Sequence, residues 1–287
     1  MEGNFSAKTI LFLGGVIVAS VIGSAVSPFV MQAGMSAGSG GNDSFSSCNV
    51  LDLQIYGNIV NTRADIPVSD AIVLSDSAST VLTPNYTVAT DVEYGLKTAA
   101  ANPNIKALLV DVDSNGGGSQ AGQEIANAIR AFGKPSIAVI HGIGASSGYL
   151  VAAATDRIIG LEDSTIGSIG ATYSFLNQSE KNKKEGIAYE QLSSGPFKDT
   201  FSPDKPLTEA ERKIINRDLQ ILRANFVKQV AGYRKLPVEK IDALADGSTM
   251  LGKQAVESGL IDEIGGTKEA LAHLEKILGE PVTLCWQ

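Results

Sequence analysis

Between Ala107 and Leu161 the chain repeats one unit: an apolar strand, a glycine-rich turn, a helix. The first strand, Ala107–Val112, ends in Asp113-Ser114-Asn115-Gly116-Gly117-Gly118, and a helix is expected from about Gln120 to Phe132. The second strand, Ser136–Ile140, runs into Gly142-Ile143-Gly144-Ala145-Ser146-Ser147-Gly148-Tyr149. An apolar small-residue segment, Leu150–Ala154, runs out of it, and a third strand follows at Arg157–Leu161. This alternation predicts an α/β fold with a parallel sheet covered by helices. Both glycine turns then fall at the carboxyl ends of adjacent strands, where such folds place their sites.

The flanks divide the 287 residues further. Residues 1–8 read as a short tail. Thr9–Met31 is uncharged, mostly apolar and long enough to cross a bilayer as one helix. A cleaved secretory signal ending near Gly23-Ser24-Ala25 is the competing reading. Residues 32–47 form a Gly/Ser-rich tether, and 48–287 form the folded domain. Lys8 and the amino terminus favour a cytoplasmic start, which puts the domain on the extracytoplasmic side of the cell membrane as a single-pass protein. The net charge of −8, without a basic stripe, speaks against nucleic-acid binding.

Within the domain, Leu51, Leu53 and Ile55 alternate with Asp52, Gln54 and Tyr56, a half-buried strand. Residues 61–87 carry no clear pattern. Thr90 with Glu93 reads as a capping box opening a helix to about Ala101, and Thr208 with Glu211 as one opening a long helix to about Arg234. Ile187–Leu192 reads as a strand. Helices are expected at Val238–Ala245 and Thr267–Leu278, a helix, turn and short strand across Gly252–Gly266, and a last strand at Pro281–Trp286. Cys48 and Cys285 flank the domain; they form a disulfide if their strands are neighbours, and otherwise stay unpaired.

The chemistry concentrates at the turns. A serine on a strand-to-helix turn ringed by glycine and alanine has an exposed hydroxyl with backbone N–H groups beside it, which is what acyl transfer needs. Close packing of small residues explains the same stretch without chemistry. The Gly-Gly-Gly turn lacks the Walker and G-x-G-x-x-G spacings, so an oxyanion site fits it better than a phosphate cradle. The two histidines, His141 and His273, are not placed to serve a serine, and no Cys/His cluster of metal-ligand spacing occurs. No cofactor is expected.

Gly116-Gly117-Gly118 after an apolar strand, Ala145-Ser146-Ser147-Gly148-Tyr149, Gly167-Ser168-Ile169-Gly170, Ser194-Gly195-Pro196-Phe197-Lys198-Asp199 and Gly259-Leu260-Ile261-Asp262 occur in that order. Together they resemble the membrane-anchored serine peptidases of the signal peptide peptidase A family, from about Val50 to Leu278. The resemblance implies a crotonase/Clp-protease-like fold and a homo-oligomeric ring, often with the two halves of a Ser/Lys dyad on neighbouring subunits. It implies Ser146 as nucleophile, Lys198 as general base and Ser168 as the serine that orients the lysine. It also implies the backbone N–H groups of Gly117 and Ser147 as oxyanion donors. Two departures stand out: Asn115 where the family usually has proline, and Ser147 where it usually has glycine. A lysine serves as base only when neutral, so its pKa must fall from about 10.4 to roughly 7–8. Pro196 and Phe197 suit such an apolar setting if Asp199 faces out.

The expected function is therefore a membrane-anchored serine endopeptidase cleaving signal-peptide remnants or unfolded apolar peptides. The alternatives are a crotonase-fold acyl-thioester enzyme, which would bind coenzyme A, and a catalytically silent membrane scaffold. A peptidase of viral capsid maturation is a related reading that a membrane anchor fits poorly.

Overall fold

The computed structural model describes residues 48–66, 72–73, 81–82 and 86–286. The apolar run Thr9–Met31 and its tether lie outside them. Among the described residues no helix is long and apolar enough to cross a membrane. Two short strands, β2 (Ile72–Val73) and β3 (Val81–Leu82), pair antiparallel in a unit of their own.

The main unit is the expected α/β arrangement. Strand β1 (Val50–Val60) is followed by β4 (Tyr86–Val88) and helix α1 (Ala89–Ala101). Then come β5 (Ala107–Gly117), α2 (Ser119–Phe132), β6 (Ser136–Ala145), α3 (Ser147–Ala153) and β7 (Arg157–Gly160). After β8 (Thr165–Gly167) and α4 (Ser179–Lys184) come α5 (Glu209–Arg234) and α6 (Val238–Asp242). The chain ends with β9 (Thr249–Leu251), α7 (Gly252–Ser258), β10 (Glu263–Ile264), α8 (Thr267–Leu278) and β11 (Leu284–Trp286). The sheet order is β10-β7-β6-β5-β1-β11, with β4 on the far end of β1 and β8 on the far end of β6. These pairs are all parallel; β9 joins β8 antiparallel. The ends of β1 and β6 thus meet the short strands β4 and β8, while the end of β5 stays paired to β1, and both glycine turns sit in that zone.

Side-chain alternation sorts the two faces. Leu51, Leu53 and Ile55 are buried on one, and Val50 on the other joins Leu109, Val139 and Ile159 beneath Ala270 and Leu274 of α8. Asp52 departs from the half-exposed pattern expected of β1. It is 1% exposed, level with Leu109 in the sheet, and neither carboxylate oxygen has a hydrogen-bond partner. Burial, and to a lesser degree the Asp111 carboxylate, push its pKa up to about 6, against the opposing pull of His141.

Three local expectations need correction. Ile187–Leu192 is not a strand: it is exposed and irregular. Thr90 and Glu93 form no capping box, because α1 begins two residues earlier than that box requires, at Ala89 with Val88 as its cap. Helix α6 ends at Asp242, short of Ala245. The Thr208–Glu211 box does form: Glu211 also holds Lys205 at 2.6 Å, and the lysine contact first, then the backbone N–H of Thr208, draws the Glu211 carboxyl down to about 2. Cys48 and Cys285 are bonded, with Cα atoms 5.5 Å apart, tying the edge strand β11 to the start of β1. That choice between disulfide and free thiols depended on β1 and β11 being neighbours, which the register Leu51↔Cys285 makes them.

A buried acid with a raised pKa destabilises the fold as it ionises. The penalty is absent below the unfolded value near 3.8, grows as pH rises toward 6, and is full above it. Asp52→Asn is therefore expected to raise stability at pH 7.5 by up to about 3 kcal/mol, with the gain vanishing near pH 3.5. Urea unfolding of both proteins across that pH range checks it.

Candidate active site

Ser146 is the hinge between β6 and α3. Its backbone sits at φ 51°, ψ −125°, which a residue bearing a Cβ holds only when its surroundings compel it. Its N–H donates to the Gly167 carbonyl at 2.8 Å, and its carbonyl accepts from the Leu150 N–H at 3.0 Å. From the other side the glycine turn closes in. A Cβ on Gly116 would lie 2.8 Å from Ser146 Cβ and 2.9 Å from Ser147 N, so only glycine lets the end of β5 come this near. Gly116 also has φ 100°, where side chains are strained.

Ser114 fastens that turn. Its hydroxyl donates to the Gly57 carbonyl at 2.6 Å and accepts from the Gly116 N–H at 3.0 Å, linking β5 to β1. Beneath the serine, the buried Tyr149 donates to the Leu260 carbonyl at 2.8 Å, and burial pushes its hydroxyl pKa upward. Leu260 belongs to the Gly259-Leu260-Ile261-Asp262 stretch. Asp262 there accepts the Ile158 N–H at 2.7 Å and a two-pronged contact from Arg234 at 2.7 and 3.0 Å. The motif near the end of the chain thus braces α3, β7 and the end of α5 together.

Ser168 shares the unusual backbone of Ser146, with φ 51°, and its N–H donates to the Ser248 carbonyl at 2.8 Å. Ser146, Ser168, Gly117 and Ser147 all line one groove of about 750 Å³. Leu150, Tyr173, Leu222 and Phe226 give that groove its apolar surface, and Gln123, Asn225 and Gln229 its polar one. Arg223 secures the far wall, binding Asp242 Oδ1 at 2.6 Å and the Ala245 carbonyl at 2.7 Å.

Lys198 is not in this groove. It is exposed, on the segment between β8 and α5, in a separate pocket of about 380 Å³ with Tyr189, Leu192 and Asp199. Asp199 does not simply face out: its Oδ2 is buried without a hydrogen-bond partner. The histidines serve elsewhere. His141 lies 3.1 Å from Asp111, whose hydrogen bond raises the imidazole pKa, and His273 lies 2.8 Å from Glu263. Among the described residues no three His, Cys, Asp or Glu side chains form a cation-binding group.

Ser114, Arg234 and Arg223 escaped the sequence reading. Only Ser114 left a signal, its place in the glycine turn; the two arginines act through long-range partners that spacing does not reveal.

Residues 128–280, more than half of the chain, match peptidase family S49, and the chain belongs to that family. A protein of Enterococcus faecium provisionally named signal peptide peptidase SppA is 36% identical over 184 residues, covering 63% of this chain and 54% of that protein. Protease 4 of Haemophilus influenzae is 30% identical over 189 residues, 64% of this chain and 30% of that one. Capsid assembly protease C of Escherichia phage lambda is 25% identical over 224 residues, 77% of this chain and 50% of the phage protein. The chain thus spans little more than half, or less, of these relatives' lengths. Among solved structures, a ClpP1 variant from Listeria monocytogenes superposes with a TM-score of 0.47 at 16% identity, covering 76% of this chain and 92% of the other.

Gly122 of α2 sits against the helix that carries Ser147. A Cβ there would lie 2.6 Å from Ser147 Cβ. Gly122→Ala is expected to destabilise the protein by about 1–3 kcal/mol, and Ser147→Gly to recover most of that loss in the double variant. Denaturant midpoints of the four proteins of this cycle measure the coupling.

Proposed function

We propose that this protein is a membrane-anchored serine endopeptidase that hydrolyses unfolded apolar peptides, signal-peptide remnants among them. The observation that carries the reading is the backbone of Ser146: a strained strand-to-helix turn that holds a hydroxyl over a groove, opposite a glycine turn. Ser146 Oγ attacks the peptide carbonyl carbon and its proton passes to Lys198 Nζ. The N–H groups of Gly117 and Ser147 take the negative charge that develops on the carbonyl oxygen. The lysine then protonates the leaving amine, and water hydrolyses the acyl-enzyme. Ser168, in the same groove, orients the lysine.

Lys198 completes the site from a neighbouring copy in this reading. The segment that carries it leaves large apolar side chains in water: Leu176 is 82% exposed, Leu192 97% and Ile187 55%. Tyr173 and Phe201 stack loosely beside them, 5.5 Å apart. A face of that kind is a contact surface, and a second copy docking on it would bring Lys198 to a groove and strip water from the amine. Desolvation is the force that lowers a lysine pKa. A Clp-protease-like ring is the assembly that provides such neighbours. The anchor is Thr9–Met31, with the domain on the extracytoplasmic side, where the Cys48–Cys285 disulfide would persist. Leu150, Leu222 and Phe226 in the groove fit apolar peptide side chains.

Fluorophosphonate labelling with mass spectrometry of the modified peptide tests the nucleophile. Label on Ser146 in the wild type, lost in both Ser146→Ala and Lys198→Ala, is the expected result. A folded, assembled wild type that takes no label, or takes it on another serine, contradicts the reading.

A further inference from the structure

We propose that the Ser147 hydroxyl is a positioning group: by holding the Gly117 and Gly118 carbonyls it restrains backbone rotation at Gly117, and so keeps the Gly117 N–H, in the preceding peptide, aimed at the oxyanion. The proposal rests on the reading of Ser146 as nucleophile and Gly117 as oxyanion donor. It concerns a side chain that this reading leaves idle, since only the backbone of Ser147 takes part there.

Ser147 is 4% exposed, and its Oγ lies 3.3 Å from the carbonyl oxygens of both Gly117 and Gly118. A hydroxyl has one proton, so it is shared between the two acceptors as a three-centre bond. The opposite side of the same peptide is also tied. The Gly118 N–H donates to the Ile59 carbonyl at 2.8 Å; the Gly118 carbonyl, in the next peptide, accepts the Gly122 N–H at 3.0 Å. The Gly117–Gly118 peptide is therefore held by α3 at its oxygen and by β1 at its nitrogen.

The tie is needed because of what surrounds it. Three consecutive glycines rotate about φ and ψ with little steric resistance, and rotation at Gly117 would turn its N–H, in the Gly116–Gly117 peptide, away from the target. Gly117, at φ 153°, is backed on one side by Ile59, whose carbonyl oxygen would lie 2.2 Å from a Cβ placed there. Ser147 supplies the restraint on the other side. Space for its side chain exists because position 122 has none: the Ser147 Cβ fills the volume that a Cβ on Gly122 would occupy. Ser147 is one of the two positions where this chain departs from the resemblance, which has glycine after the nucleophile. The hydroxyl and Gly122 thus work as a matched pair, in which the added side chain locks the turn without crowding it.

The test compares wild type, Ser147→Ala and Ser146→Ala in the full-length assembled protein. The readouts are steady-state cleavage of an apolar fluorogenic peptide, affinity for a peptide boronate that forms a tetrahedral adduct on Ser146, and thermal midpoint. Ser147→Ala keeps the Cβ and removes only the hydroxyl. A displaced oxyanion donor loses transition-state binding alone, so kcat should fall about tenfold, less than the roughly 10²–10³ for deleting a donor outright. KM should be unchanged, boronate affinity should fall by the same factor, and the thermal midpoint should hold. Wild-type kcat and boronate affinity in Ser147→Ala, with Ser146→Ala inactive, would overturn the proposal and leave the nucleophile assignment intact. A lowered midpoint with KM and kcat both disturbed would overturn it in favour of plain packing. Full activity in Ser146→Ala would overturn the nucleophile reading and this proposal with it.

Discussion

Everything at the site depends on one strained residue being held in place. Ser146 sits at φ 51° because three elements leave it no alternative. β8 takes its N–H, α3 begins directly after it, and the end of β5 presses on its Cβ through Gly116. A turn of this kind costs about 1–3 kcal/mol on its own, and packing around α3 offsets it. Tyr149, Leu150 and the small residues after them are almost fully buried, so the helix cannot shift to relax the hinge. The strain and the rigidity are two sides of one arrangement: Ser146 stays on the groove wall because its backbone cannot move.

That arrangement explains which parts of the chain were legible beforehand. The βα repeat was readable because buried parallel strands are continuous apolar runs, and Ala107–Val112 and Ser136–Ile140 are such runs. The glycine turn and the Ala145–Tyr149 stretch were readable because close backbone approach demands small residues at particular places. What failed was local pattern without a partner. Ile187–Leu192 has strand composition, but a strand forms only by pairing with another edge, and this exposed stretch pairs with none of the described strands. Thr90 and Glu93 have capping chemistry, but the chain was already helical at Ala89 because β4 delivers it there. The short strands β4, β8 and β9 are set by register against β1 and β6 and carry no signal of their own. Asp52 is buried by its place beside Leu109, which no alternation rule reveals.

The candidate site divides along the same line. Ser146, Ser168, Gly117 and Ser147 come together in one groove because the sheet brings β5, β6 and β8 side by side. Lys198 belongs to a segment that packs little of itself on its own chain. On the proposed reading, a single chain holds the nucleophile, the oxyanion donors and the substrate groove, and presents the base outward on an exposed segment. On this account the exposed apolar face and the absence of Lys198 from its own groove have one cause.

Mixed-subunit complementation tests that account most directly. Ser146→Ala and Lys198→Ala chains are each expected to be inactive when assembled alone. Reassembled together in equal amounts, they should recover about a quarter of wild-type activity, since random neighbours pair an intact serine with an intact lysine at that frequency. Mixed assemblies of normal size with no recovered activity would contradict it, and would place the base within the same chain as its serine or on another residue.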